Sequence, residues 1–423
     1  MKGKKPQLIA GLELGDRQIT VAVGQLDERQ ELLIRTVESA PARGVERGVL
    51  TDPAECVDAV SRLMRRVEQS LSTRIPKVLA ALHGNHLKSY NASASVPVPD
   101  PTIGISNRDV ERVVTTCRTL SLDYDRQILH AFERGFSVDG QSGIKDPVGL
   151  SGAKLSVDLH LVTALNLAVQ NLTRVLNRAG LEVEQMVLPG LATAEAVLSD
   201  LDRDLGVTLI RIGEVQTEVL LFSEGAVRET FLMPWGTDHL AETLSRSLKL
   251  PRAAADQLLE QIRTLEDHPS TGAAPDLVGL PVRPEPPVPL RVKTGSFSKT
   301  IPSEQVIHFL AGRTRDFLSR LRRRLDESPY SRESSAGIVM VGSFARLEGF
   351  LEMAEELLNM PVRLGTTRGI QLDPQVTLGT QHTTAVGLLR HGIKRRLPTA
   401  QPLTGPPWLR WLDHTRRLLE EYF

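Results

Sequence analysis

Two stretches of this chain combine tight glycine turns with charged side chains, a pairing that could do chemistry. In the first, Gly11-Leu12-Glu13-Leu14-Gly15-Asp16 runs through Arg17-Gln18 into Ile19-Thr20-Val21-Ala22-Val23. In the second, Val207-Thr208-Leu209-Ile210-Arg211-Ile212 leads to Gly213-Glu214-Val215-Gln216-Thr217 and on to Glu218-Val219-Leu220-Leu221-Phe222. A third glycine turn follows an apolar run at Ile338-Val339-Met340-Val341-Gly342-Ser343-Phe344. Backbone N–H groups in such turns can cradle phosphate oxygens when the neighbouring side chains are small. A strand, a glycine turn and a second strand are nevertheless common in any sheet protein, so the turns carry no chemistry by themselves.

Other candidates are weaker. Lys293-Thr294-Gly295 and Ser296-Phe297-Ser298-Lys299 imitate two motifs of penicillin-binding enzymes, but they are adjacent and in the wrong order. Asp123/Asp125 and Asp200/Asp202 are carboxylate pairs of the kind found on solvated surfaces. The ten histidines show no metal-ligand spacing, so no metal is expected. Cys56 and Cys117 sit in unrelated segments and suit a reducing compartment. Arg320-Leu321-Arg322-Arg323-Arg324 lies on a helical pattern and reads as a solvated face.

Composition narrows the class. The chain has 423 residues, enough for two to four compact units, with 41% hydrophobic and 24% charged residues. Lys plus Arg and Asp plus Glu both number 51, which gives no basic excess for nucleic acid. The start, though basic, leads into only a short apolar stretch, and no run has the 18 or so apolar residues of a membrane span. The body is expected to be cytosolic.

The elements that must position the turns follow from periodicity. Gln7–Gly24 reads as a β-hairpin and Glu31–Val37 as a third strand. Residues 52–72 place Val57, Val60, Leu63, Met64, Val67 and Leu71 on one helical side, and Lys77–His83 reads as a strand. Residues 84–160 are rich in Ser, Pro and Gly, with a helical stretch near 107–120 and a strand at 153–163. A helix over 165–179 stops at Gly180, a suitable C-terminal residue. Residues 268–304 are dense in proline and read as a loop-rich insertion, and Ser303–Asp326 is strongly helical. The recurrence of the hairpin at Gly206–Val227 suggests two similar halves.

Duplicated hairpins with a third glycine loop are the layout of the actin and sugar-kinase fold, and several segments resemble the bacterial cell-division family FtsA. These are Asp146-Pro147-Val148-Gly149-Leu150, the strand Gly152–Thr163, Arg178-Ala179-Gly180-Leu181-Glu182-Val183, Glu195-Ala196-Val197-Leu198 and Ala385-Val386-Gly387-Leu388-Leu389. The resemblance covers nearly the whole chain. It implies an α/β, actin-like fold of duplicated ribonuclease-H-like halves with an inserted 1C subdomain and a C-terminal amphipathic helix. By it, subdomain 1A would comprise 1–77, 165–198 and 367–396, and 1C would be 78–164. Subdomain 2A would be 199–230 and 305–366, 2B would be 231–304, and 397–407 would be a linker to a membrane-targeting helix at 408–423.

In that family the two hairpin turns hold the phosphates of ATP and the third loop lines the adenosine. The corresponding positions here are Gly11, Glu13, Gly15, Asp16 and Gln18; then Arg211, Gly213, Glu214, Thr217 and Glu218; then Gly342, Ser343 and Phe344. They depart from the family pattern. The usual Gly-Leu-Asp-Ile-Gly-Thr and Asp-Ile-Gly-Gly-Gly-Thr-Thr-Asp have become Gly-Leu-Glu-Leu-Gly-Asp and Arg-Ile-Gly-Glu-Val-Gln-Thr-Glu. Glu214 brings a carboxylate to a phosphate position, at a cost of about one to several kcal/mol for like charges ~4 Å apart. Val215 removes a glycine's freedom, and Asp16 adds another negative charge. Arg211 replaces the acid expected to hold hydrated magnesium, and it could pair internally with Glu13 or Asp16. ATP and magnesium, which the resemblance implies as ligands, are therefore expected to bind weakly or not at all. No catalytic residue is assigned.

The end of the chain carries its own signal. On a helical wheel Trp408, Leu409, Trp411, Leu412, Leu418, Leu419, Tyr422 and Phe423 fall on one side, and Arg410, Asp413, His414, Arg417, Glu420 and Glu421 on the other. A helix of roughly 24 Å is too short and too charged to span a bilayer but suits its interface. Leu397–Pro407 contains four prolines and should act as an extended tether. The expected function is a cell-division adaptor, peripheral on the inner face of the cytoplasmic membrane at the division site. It would bind the C-terminal tail of FtsZ, associate with itself as actin does, and meet other division proteins. Arg313 and Lys299 are candidates for receiving the acidic partner peptide. The alternatives are a PilM-like adaptor of type IV pilus assembly and an active ATPase of the same superfamily.

Overall fold

The structure is a computed structural model that describes residues 8–26, 31–265, 289–295 and 297–396. β1 (Leu8–Leu14) and β2 (Gln18–Leu26) form an antiparallel hairpin with Leu14 opposite Ile19. Both strands are buried along nearly their whole length, on both faces, and not on alternate residues as a half-buried hairpin would be. β3 (Leu32–Pro41) continues antiparallel to β2, and a small ribbon of β4 (Val45–Glu46) and β5 (Val49–Leu50) follows. α1 (Pro53–Leu71) starts where the Asp52 carboxylate accepts the amides of Ala54 and Glu55 at 2.9 and 3.0 Å, with proline in the first turn. It ends at Ser72 in the left-handed conformation and buries Cys56, Ala59, Val60, Leu63, Met64 and Val67. β6 (Lys77–Ala81) then pairs parallel with β1.

The next segment is a four-stranded antiparallel sheet with its own helix. Its elements are β7 (Lys88–Pro97), α2 (Asn107–Leu120), β8 (Arg126–Val138), β9 (Gln141–Ile144) and β10 (Lys154–Leu165), in the sheet order β7-β10-β8-β9. A reciprocal Ser106–Asp109 capping box starts α2, and Val113, Val114 and Cys117 join Phe136, Leu155, Val157, Leu159 and Leu161 in a common core. α3 (Asn166–Arg178), β11 (Glu182–Val187) parallel to β6, and the fully buried α4 (Pro189–Val197) complete this stretch.

The chain divides into two units, the second made of Leu201–Gly225 and Met233–Gly365. After the short α5 (Asp200–Leu205), β12 (Val207–Ile212) and β13 (Thr217–Ser223) form an antiparallel hairpin. β14 (Ala226–Met233) follows, its first seven residues belonging with the first unit. Then come α6 (Thr237–Leu248), α7 (Arg252–Gln261), a hairpin of β15 (Pro289–Thr294) and β16 (Phe297–Pro302), and the long α8 (Ser303–Asp326). β17 (Ile338–Val341) pairs parallel with β12 and with β18 (Val362–Leu364), α9 (Phe350–Leu358) lying between them in sequence. The expected loop over 268–304 is therefore partly ordered as strands: Leu290, Val292 and Ile301 are buried, and the prolines at 289 and 302 stand at the ends of the strands, where proline is tolerated.

The chain returns to the first unit with β19 (Gln371–Leu372) and α10 (Thr383–Arg396), giving a sheet of order β11-β6-β1-β2-β3-β19. α10 packs tightly on β1: a Cβ on Gly11 would lie 2.5 Å from the Ala385 carbonyl oxygen and 2.7 Å from Leu388 Cβ. Each unit repeats one plan, an antiparallel hairpin whose first strand is followed on its other side by two successive parallel strands. The order is β2-β1-β6-β11 in one and β13-β12-β17-β18 in the other. The halves anticipated from the recurring hairpins are present.

Candidate functional site

In the first unit Glu13, Gly15, Asp16 and Gln18 share one turn. It is closed by the Gly15 amide donating to the Gln18 carbonyl at 3.0 Å. Asp16 is not turned toward open solvent alone: its Oδ1 accepts the Gly48 amide at 2.6 Å, fastening the turn to the ribbon of β4 and β5. Glu13 is buried, and its Oε1 lies 3.3 Å from His83 Nε2, within ion-pair range when that ring is protonated. Burial lowers the pKa of His382, and the Glu13 carboxylate pulls it partly back. His86 is pushed down to about 4 by burial, then by the Arg126 and His83 charges. Arg126 is itself buried and donates to the His86 carbonyl at 2.6 Å and to both Thr163 oxygens at 2.9 Å. Gly11 stands apart from the turn, in the middle of β1 under α10.

In the second unit Arg211 and Glu218 face each other across the hairpin, Nη1 to Oε1 3.3 Å, with the Glu218 side chain fully buried. Arg211 thus has an acid partner on its own hairpin. The turn is closed by the Gly213 amide on the Gln216 carbonyl at 3.0 Å. The start of α6 is bonded onto it: Thr237 and Asp238 donate their amides to the Gly213 and Glu214 carbonyls at 3.2 and 2.8 Å. Gly236 makes this approach possible, because a Cβ there would strike the Glu214 carbonyl. The buried Thr217 hydroxyl donates to the Trp235 carbonyl at 2.8 Å.

The third loop reaches the same place. Gly342 has φ +137°, a conformation that side chains disfavour, and a Cβ would collide with the Ile212 carbonyl of β12. Ser343 is exposed, whereas Phe344 is buried and points into an aromatic cluster. Its ring meets Trp235 edge to face at 5.8 Å and Phe350 at 5.5 Å, and Trp235 stacks on Phe317 with centroids 3.8 Å apart. The structure thus brings Arg211, Gly213, Glu214, Thr217, Glu218, Gly342 and Phe344 together within one unit. The residues present fit magnesium triphosphate poorly. Where the resemblance leads one to expect an acid that orders magnesium stands a cation already paired with the buried Glu218, and Glu214 places another carboxylate on the turn. Among the described residues no group of three or more His, Cys, Asp or Glu side chains could hold a metal ion.

The partner candidates lie elsewhere in the second unit. Arg313, on α8, is half-exposed, sits 5.4 Å above the Phe309 ring and is 3.5 Å from Asp316. Lys299, on β16, donates to the Leu248 carbonyl at 3.3 Å. The proposed membrane residues at 408–423 lie outside the described residues, and among those described no helix is long and apolar enough to cross a membrane. Sequence reasoning missed the buried polar groups that fix the first unit, above all His160. Its Nε2 accepts the Thr230 amide at 2.9 Å while Nδ1 meets Asn91 Oδ1 at 2.7 Å. Its only signal was a histidine in the more apolar half of a strand, after Asp158.

Two family profiles match the chain. One, described as the SHS2 domain inserted in FtsA, covers residues 84–163, the four-stranded sheet with α2. The other, described as cell division protein FtsA, covers 208–387. The chain belongs to the FtsA family. The FtsA cell division protein of Pseudomonas aeruginosa is 28% identical over 391 residues, covering 92% of this chain and 90% of that one. The FtsA of Neisseria meningitidis serogroup B is 28% identical over 404 residues, 95% and 94% of the two chains. Among solved structures, the PilM-PilN type IV pilus biogenesis complex superposes with a TM-score of 0.63 at 15% identity, covering 91% of this chain and 98% of that chain. This likeness shows an actin-like fold for the chain.

Proposed function

We propose that this FtsA-family protein is a division adaptor that holds FtsZ filaments at the inner face of the cytoplasmic membrane, without turning over a nucleotide. The observation that carries the second half of the reading is the Arg211–Glu218 pair: the position expected to order magnesium is a guanidinium neutralised inside its own hairpin. The first half rests on family membership and on the amphipathic sequence Trp408–Phe423. Tail docking is assigned to 231–326, with Arg313 and Lys299 as its basic contacts, and self-association follows the actin pattern. Subdomains 1A, 1C, 2A and 2B carry the boundaries given above, with 397–407 as the tether and 408–423 as the anchor.

Lipid-vesicle sedimentation tests the reading. Full-length protein should pellet with vesicles containing anionic lipid and carry an FtsZ tail peptide down with it. Protein ending at residue 396 should stay in solution and still bind the peptide. Pelleting of the truncated protein would overturn the anchor, and failure of both forms to bind the peptide would overturn the partner.

A further inference from the structure

The first unit has a groove beside its glycine hairpin, where the end of β3, paired with β2 at Gln18 and Ile19, meets α1. It encloses about 540 Å³ and has an apolar floor of Ala40, Pro41, Ala59 and Leu63. Its rim is basic: Arg43, Arg62, Arg65 and Arg66. Two of these arginines are neutralised where they stand. Arg62 lies 2.6 Å from Asp58, and Arg66 donates at 2.9 Å both to Glu38 and to the Ser39 carbonyl. Arg43 and Arg65 are exposed and have no acidic partner among the described residues. The groove therefore carries uncompensated positive charge, in the side chain whose planar fork suits carboxylates best.

The backbone beside it is also unfinished. β19 pairs with β3 only at Leu33 and Ile34, and among the described residues no strand continues along that edge toward Pro41. Arg66 takes the Ser39 carbonyl, but among the described residues no strand pairs with the rest of that stretch, and an edge without a strand partner is a template for another extended chain. We propose that this groove receives an acidic peptide of a partner protein in extended form, adding a strand to the outer edge of β3. Its carboxylates would pair with Arg43 and Arg65, and an alternate apolar side chain would rest on Ala59 and Leu63. A flat lipid surface is the poorer match, because the apolar floor is recessed behind the arginines and would stay uncovered.

The test uses the full chain and a short, capped, fluorescein-labelled peptide of alternating Glu and Val, followed by anisotropy. Saturable binding is expected, weakened at least about tenfold in R43E/R65E, the loss anticipated for two charge-assisted contacts. Both side chains are exposed, so the variant should melt like wild type. Backbone N-methylation of the peptide should abolish binding, and a Lys-Val peptide should not bind. R43E/R65E should pellet with phosphatidylglycerol vesicles as wild type does. The proposal is overturned if wild type does not bind the acidic peptide, if R43E/R65E or the methylated peptide binds undiminished, or if inorganic phosphate displaces the peptide completely. Loss of vesicle binding in R43E/R65E would assign the groove to lipid instead.

Discussion

Arg211 and Glu218 occupy directly opposed positions on the β12–β13 hairpin, and their side chains meet at 3.3 Å with Glu218 shielded from solvent altogether. Such a pair is costly to break from one side, because the remaining charge is left buried and alone. Arg211→Ala should therefore lower the stability of the second unit by about 3 kcal/mol. Replacing both residues by methionine should cost far less, since no charge is stranded. Urea unfolding of the two variants checks this: equal losses would mean the pair is not what holds the hairpin.

The same pair bears on the proposed loss of nucleotide binding. Titration calorimetry with ATP and magnesium should give negligible heat for wild type, because Glu214 and Asp16 add negative charge to the turns and Arg211 cannot order a hydrated metal. Glu214→Gly with Val215→Gly should improve binding, and a further Arg211→Asp should improve it again when magnesium is present. Tight binding by the unaltered protein would overturn the reading of these turns.

Much of this was legible in the sequence where the signal was local. The span of α8 follows from periodicity alone, and the hairpins follow from glycine turns between β-branched runs. β8 escaped because most of its residues are half-buried and Glu133 and Arg134 interrupt it, so no clean alternation marks it. β15 and β16 were obscured by the proline-dense segment before them. Arg211's partner and Asp16's amide contact could not be read, since each depends on a register or a tertiary approach that charge patterns do not encode. Gly11 shows the converse: its place in the motif suggested a phosphate turn, and the structure gives it a packing reason beneath Ala385 and Leu388.

Arg313→Glu is the first reversal to try for the proposed tail contact. The residue stands half-exposed on α8 with an exposed ion pair to Asp316, so its loss should leave the fold intact. An FtsZ tail peptide should bind the variant at least several-fold more weakly than wild type by fluorescence anisotropy. Equal binding would remove Arg313 from the contact.

The first unit should lose stability as pH falls. Nε2 of His160 accepts the Thr230 amide and Nε2 of His130 accepts the Leu188 amide at 3.0 Å, so both rings must be neutral there. Burial, with the Arg134 charge, holds His160 at about 4; burial, with His391, holds His130 at about 3, both from 6.5. The unfolded chain takes up these protons near 6.5 and the folded one does not, so the unfolded state gains. Stability should be level above pH 7 and fall between about 6.5 and 4. In His160→Gln the fall should be shallower, from a lower starting melting temperature. Identical pH slopes for the two proteins would show that His160 is not one of the groups responsible.

The last prediction concerns the anchor. Trp408, Trp411, Leu412, Leu418, Leu419 and Phe423 share one helical side, and the opposite side is charged, the pattern of a helix that lies in a bilayer interface. The two tryptophans are the interfacial residue type. Two basic residues upstream of the tether are occupied within the body. Arg390 donates to the carbonyls of Glu195, Arg368 and Gly369, and Lys394 is paired with Glu195 at 2.7 Å, so both are engaged by the body of the protein. Attachment should then be mainly hydrophobic and only weakly sensitive to salt, and one helix should bind reversibly, with firm attachment needing many copies in a polymer. Trp411→Glu with Leu419→Glu should release the protein from anionic vesicles while its melting temperature stays at the wild-type value. Retained pelleting would sink the anchor. An early melt would show that the segment is packed on the body and supports the fold, because a free interfacial helix contributes nothing to stability in solution.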